Sequence, residues 1–76
     1  MAELVTVARF IDRAEAMIAR SLLQSEGLSV VMPEENVLST LPHLILGVGG
    51  YRLMVRAQNA ELARVLLRDA QLGHIE

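Results

Sequence analysis

"YRLMVR", residues 51–56, decides the fold. Tyr51, Leu53 and Val55 alternate with Arg52, Met54 and Arg56. A period of two is that of a strand with one buried apolar face and one charged face. The segments on either side then fall into place. Upstream, Glu3–Phe10 is short and rich in β-branched residues, a first strand. Asp12 followed by Glu15 resembles a capping box, and Ile11 is placed to staple onto Ala16. The helix they open runs to about Glu26, with Ala14, Ile18, Ala19, Leu22 and Leu23 expected on its buried face. Gly27 supplies a left-handed stop. Leu28–Met32 reads as a second strand, ended by Pro33, which has no N–H to donate. Downstream, Asn59 is an expected N-cap for a helix reaching about Gln71. Its expected buried face is Ala60, Ala63, Leu66, Leu67 and Ala70, with Glu61, Arg64 and Arg68 turned to water.

The order is β-α-β-β-α in one domain spanning residues 1–76. The first and second strands can lie parallel, with Tyr51–Arg56 between them and antiparallel to both. That gives a three-stranded sheet of order 1-3-2 with both helices on one face. The expected class is α+β, a two-layer ferredoxin-like sandwich whose fourth strand is missing or vestigial.

Composition bounds the function. The 76 residues allow one small core, which is aliphatic because hydrophobic residues are 53% and aromatics 3%. Net charge is −2 and all seven basic residues are arginine. Neither a basic stripe for nucleic acid nor a polybasic cluster for an anionic membrane is present. Cysteine is absent, which removes disulfides, thiolate metal sites and a cysteine nucleophile. The first residues lack the regions of a signal peptide, and no apolar run reaches the ~20 residues of a spanning helix. A cytoplasmic protein with no nucleic-acid or membrane partner is expected.

The candidate motifs for chemistry are weak. Gly47, Gly49 and Gly50 lead into a strand, whereas phosphate-cradling glycines lead into a helix. Backbone turning explains them better. His43 and His74 are the only imidazoles and lie far apart in sequence, so no metal site is expected. Glu34 and Glu35 are neighbours in a loop, a poor arrangement for facing acid and base. No catalytic residue, metal or cofactor is assigned, and an enzyme is not expected.

Residues 34–50 hold more promise. A hairpin connection needs only two to five residues, and this one is much longer. Glu34–Leu41 has the helical spacing Val37, Leu38, Leu41, and Pro42 would end it. Val37, Leu38 and Leu41 are then expected to be mostly buried, and Leu44 to Val48, with Leu44, Ile45 and Leu46, more exposed and mobile. On the sheet, Leu4, Thr6, Ala8 and Phe10 are expected to face the helices. That assignment places Val5 and Val7 on the open face with Val31 and Met54, edged by Arg52 and Arg56. An apolar patch of this kind usually marks an interaction surface. The expected partner-binding set is Val5, Val7, Val31, Leu44, Ile45, Leu46, Arg52, Met54 and Arg56. High mean hydropathy (+0.39), an open edge on the first strand and this patch together lead us to expect a homodimer.

The stretches "RFIDRAEAMIARSLLQSEGLSVVMPEENV" (9–37) and "GVGGYRLMVRAQNAELARVLL" (47–67) resemble a small prokaryotic family of unknown function whose members are called signal-transducing proteins. Asp12, Ala14, Glu15, Leu22, Leu23, Glu26, Gly27 and Leu28 carry the first half of the likeness. Gly49, Gly50, Glu61, Ala63, Leu66 and Leu67 carry the second. The resemblance implies a β-α-β-β-α core similar to the PII nitrogen-regulator type. It also implies a bacterial regulatory or adaptor domain that binds a protein or small-molecule partner. The alternative is an enzyme, or a subunit of one, with a pocket under the 34–50 loop.

Overall fold

The computed structural model describes residues 3–41 and 49–75, with Ser39, His74 and Ile75 as backbone only. Strand β1 is Leu4–Phe10 and helix α1 is Arg13–Ser25. A short helix α2 is Glu35–Thr40, and strand β2 is Tyr51–Arg56. A 3-10 turn at Ala57–Asn59 leads into helix α3, Ala60–Asp69, and the two-residue strand β3 is His74–Ile75. The fold is α+β. Its sheet is essentially the antiparallel pair β1–β2, extended on the far side of β1 by β3 opposite Ala8 and Arg9. Helices α1 and α3 pack on each other and on both long strands.

The expected three-stranded sheet of order 1-3-2 is therefore corrected. Leu28–Met32 does not form a strand; only Val31 bridges to Met54, antiparallel. The reason lies in backbone accounting. Helix α1 ends in a Schellman cap, with Gly27 N–H donating to Gln24 O and Leu28 N–H to Leu23 O. Gly27 takes the required positive φ of +86°. At the other end Pro33 has no N–H, and Met32 O accepts from Glu35 N–H at 3.1 Å. Val31 alone exchanges both its backbone groups with β2, at 2.9 Å each. The open edge expected on β1 is corrected too, because β3 occupies part of it.

Asp12 caps α1 by accepting from Ala14 N–H at 3.0 Å. Glu15 does not complete a capping box; its Oε2 accepts from Gly73 N–H at 2.9 Å and ties the C-terminal segment to α1. The buried stripe of α1 is Ala16, Ala19 and Leu23, while Ala14 is exposed and Ile18 is 59% exposed. The helix is thus rotated from the expected face. Two fully buried alanines let it lie close on the sheet, a choice that a count of large apolar residues does not anticipate. Helix α3 buries Ala60, Ala63 and Leu67 as expected, with Leu66 half-buried and Ala70 exposed. Asn59 holds the N-cap position, but its side chain makes no capping bond. Among the described residues no helix is long and apolar enough to cross a membrane.

The core is one cluster that includes Val7, Ala8, Phe10, Leu23, Leu38, Tyr51, Leu53, Val55 and Leu67. Phe10 is clamped at the end of the sheet by two glycines. A Cβ on Gly50 would lie 2.5 Å from Phe10 O, and one on Gly73 would lie 2.2 Å from the Phe10 ring.

Candidate functional site

The pairing of β1 with β2 defines two faces. Val5, Ala8 and Phe10 lie opposite Val55, Leu53 and Tyr51. Partners directly opposite share a face, and Tyr51, Leu53 and Val55 are all buried, so these three β1 residues face the helices. Leu4, Thr6 and Arg9 lie opposite Arg56, Met54 and Arg52 on the outer face. The register slips by one between Thr6 and Ala8, a β-bulge with Val7 as the extra residue. Val7 and Ala8 are both fully buried.

This corrects part of the expected site. Val5 packs half-buried against the core and Val7 is fully buried, so neither lies on the open face. A strand apolar at both parities gives no register, and the bulge then shifts the parity midway. The outer face keeps Val31, Met54, Arg52 and Arg56 from the expected set and adds Leu4, Thr6 and Arg9. Val31 is 40% exposed and Met54 half-buried. Because Val31 lies opposite Met54 and Met54 opposite Thr6, the three form one row across the sheet. Leu44, Ile45 and Leu46 lie outside the described residues.

Two glutamates attach the 33–40 segment beside this face. Glu34 Oε1 accepts from the backbone N–H of Arg52 at 2.8 Å. Its Oε2 accepts from Arg52 Nε at 2.7 Å and lies 2.7 Å from Nη2. The carboxylate thereby does what the carbonyl of a further strand would do. Beyond the Val31–Met54 bridge it satisfies the next free donor along the β2 edge. Burial pushes the Glu34 carboxyl up, but the two hydrogen bonds and the charge of Arg52 outweigh it and hold the group below its ordinary 4.5. The bond with Glu34 raises Arg52 in turn. Glu35 points to α1 instead. Its Oε1 accepts from Arg20 Nη1 at 2.8 Å, and its Oε2 lies 3.7 Å from Arg13 Nη2. Arg20 also donates to Met17 Sδ at 3.2 Å.

Helix α2 sits between these anchors. Leu38 enters the core at 2% exposure, while Val37 and Leu41 are 48% and 43% exposed. The helix falls where the spacing predicts it, but only one of the three expected residues is fully buried.

The pairing of Glu34 with Arg52 and of Glu35 with Arg20 was not legible in the sequence. The partners are 18 and 15 residues apart, and no local spacing joins them. A recess of about 300 Å³ lies near Arg9, Phe10, Ile11 and Gly49. Among the described residues its lining offers one guanidinium and no carboxylate, hydroxyl or imidazole.

No curated protein and no solved structure matches the chain. Its residues 4–71 match the family described as "Putative prokaryotic signal transducing protein", and the chain belongs to that family.

Proposed function

We propose that the chain is a small non-enzymatic regulatory domain, an adaptor that binds a protein or small-molecule partner through the 34–50 loop and its outer sheet face. The row Thr6–Met54–Val31 carries this reading. It is a line of two apolar side chains and one threonine on the sheet face opposite the helices, carried by a strand whose other face is buried. The family description supports a signalling role in class, without naming a ligand. The absence of cysteine suits a bacterial cytoplasm.

Two placements support reading the fold as a reduced ferredoxin-like, PII-like plan. Val31 stands beside β2 where a second strand would lie, and β3 stands beside β1 where a fourth would lie. Self-association through the outer face is the homodimer form of the same proposal. Met54→Glu places a charge at the centre of the row without touching the core. Tagged wild type and folded Met54→Glu should retain different partners on affinity purification. Identical sets of co-eluting proteins, together with unchanged sedimentation equilibrium, would overturn the role of this face.

A further inference from the structure

Helices α1 and α3 lie against each other over the sheet and present a second surface on the side away from it. One flank of α1 is occupied, since Arg13 and Arg20 meet Glu35 of α2. The other flank carries Glu15, Ile18 and Leu22 at helical spacing and turns to α3. Glu15 marks that side, because it holds the Gly73 N–H just beyond α3. Leu22 and Leu66 are half-buried, while Ile18, Leu62 and Val65 are exposed. Leu62 is 48% exposed and Val65 38%. These five side chains give the helical layer an apolar patch of its own, on the opposite side of the molecule from the outer sheet face.

The charges beside this patch restrict what can cover it. The exposed residues of α3 are Glu61, Leu62, Val65, Arg68 and Asp69, the spacing of one helical stripe. Glu61 and Arg68 are two turns apart, about 10.5 Å along the axis, and flank Leu62 and Val65 on the side away from Leu66. Among the described residues neither is held in an ion pair. Turned end for end, this stripe is complementary to itself. A two-fold axis crossing α3 near Arg64 sets Leu62 on Val65 of a second copy, and Val65 on its Leu62. The same rotation brings Glu61 beside Arg68 of the second copy, and Arg68 beside its Glu61. Asp69 falls beyond these pairs, against the uncharged turn Ala57–Asn59. A parallel pair would set each charge level with its own kind and form neither bond. Charges that flank an apolar helix seam select partner and orientation in this way.

We propose that α3 docks antiparallel on α3 of a second copy, forming a two-fold dimer through the helical layer. A two-fold contact sets one surface against itself, and this stripe matches itself in apolar spacing and in charge. Ile18 widens the seam on the α1 side, and the Glu61–Arg68 pairs close it on the other. The outer sheet face takes no part, so such a dimer leaves it open on both copies. The seam draws on one ten-residue helix from each copy and is small, so the expected Kd is about 10–100 μM.

Sedimentation equilibrium of the full chain, from about 10 μM to about 1 mM, tests the dimer. The wild type should show a monomer–dimer equilibrium that high salt weakens. Val65→Glu should abolish it by pressing a carboxylate against Leu62 of the second copy. Glu61→Arg and Arg68→Glu should each weaken association about tenfold, since each sets like charges together. Mixed in equal amounts, those two variants should associate again, because every flanking pair across the mixed dimer is then of opposite charge. All three positions are exposed, and circular dichroism establishes that each variant folds. Should Val65→Glu not fold, the two charge variants and their mixture decide alone. A wild type that stays monomeric at about 1 mM would overturn the dimer. Charge variants that associate like the wild type, or a mixture that stays monomeric, would overturn the antiparallel pairing. A dimer broken by Met54→Glu and kept by Val65→Glu would place the second copy on the outer sheet face, and the helical seam would fail.

Discussion

Strands β1 and β2 pair at six positions, yet they constrain one another unequally. Every inward residue of β2 is apolar and buried, and Arg52 and Arg56 mark its outer side. A slip of one residue would bury two guanidiniums, so β2 has one permitted register. Strand β1 has no such lock over Leu4–Ala8, where only Thr6 is polar. It can carry an extra residue, and it does, at Val7. A charged face thus fixes orientation, while an all-apolar stretch leaves orientation to its neighbour. The same contrast holds at the edges. Strand β2 is closed by one bridge and one carboxylate, and β1 by a two-residue strand.

The sharpest way to break this comparison is to charge adjacent residues of β1. Val7→Glu would bury an unpaired carboxylate in a fully closed site, and should cost about 4–5 kcal/mol. Thr6→Glu, one residue away, should cost about 1 kcal/mol or less because Thr6 faces outward opposite Met54. Urea melts of the two variants measure the difference. A reversed ranking would restore the simple alternation and remove the bulge.

The same experiment on β2 should give the expected two-faced result. Leu53 has no exposure, and Leu53→Ala should cost about 2–5 kcal/mol through lost burial and the cavity left behind. Met54→Ala should cost about 1 kcal/mol, since the side chain is only half-buried. Equal losses would mean that the outer face is covered by more than the described residues.

How much of this was legible in the sequence follows from the same physics. The two faces of β2, the Asp12 cap, the Gly27 stop and the α2 turn all rest on residues within one local pattern. The reading failed where the deciding partner was distant or the pattern degenerate. Alternation could not place Val5 and Val7, because both parities of β1 are apolar. Leu28–Met32 has strand composition, but its backbone groups are taken by the helix cap at one end and by Glu35 at the other. The binding of Glu34 to Arg52 crosses 18 residues, and no spacing rule covers it. On the outer face, Arg52, Met54 and Arg56 were found directly from β2. Leu4, Thr6 and Arg9 required the bulge.

The edge of β1 can be tested through β3. Gly73 has φ +70°, and a Cβ there would collide with the Phe10 ring. Gly73→Ala should cost about 1–3 kcal/mol from the strained backbone and the displaced ring. Amide exchange at Ala8 and Arg9 should accelerate more than at Leu53 and Val55, because the local loss falls on the β3 side. Uniform acceleration across both strands would make Gly73 a global rather than an edge residue.

The smallest effect is expected at the β2 edge, and it depends on pH. Glu34 is held below its ordinary 4.5 by Arg52, so its folded form binds a proton less readily than its unfolded form. Its contribution to stability is therefore fully present above 4.5 and is lost as pH falls through the lower, folded value. Glu34→Gln keeps an acceptor for the Arg52 backbone N–H but removes the charge that the guanidinium meets. At neutral pH the loss should be about 1 kcal/mol, kept small because water reaches part of Arg52 and screens the pair. Well below 4.5 the wild-type carboxyl is protonated as well, and the gap between the two proteins should close. Urea melts across that range follow the gap directly. A gap that stays constant with pH would mean that Glu34 closes the β2 edge through hydrogen-bond geometry alone. The comparison would then sharpen, with β2 needing an acceptor at Arg52 and no charge.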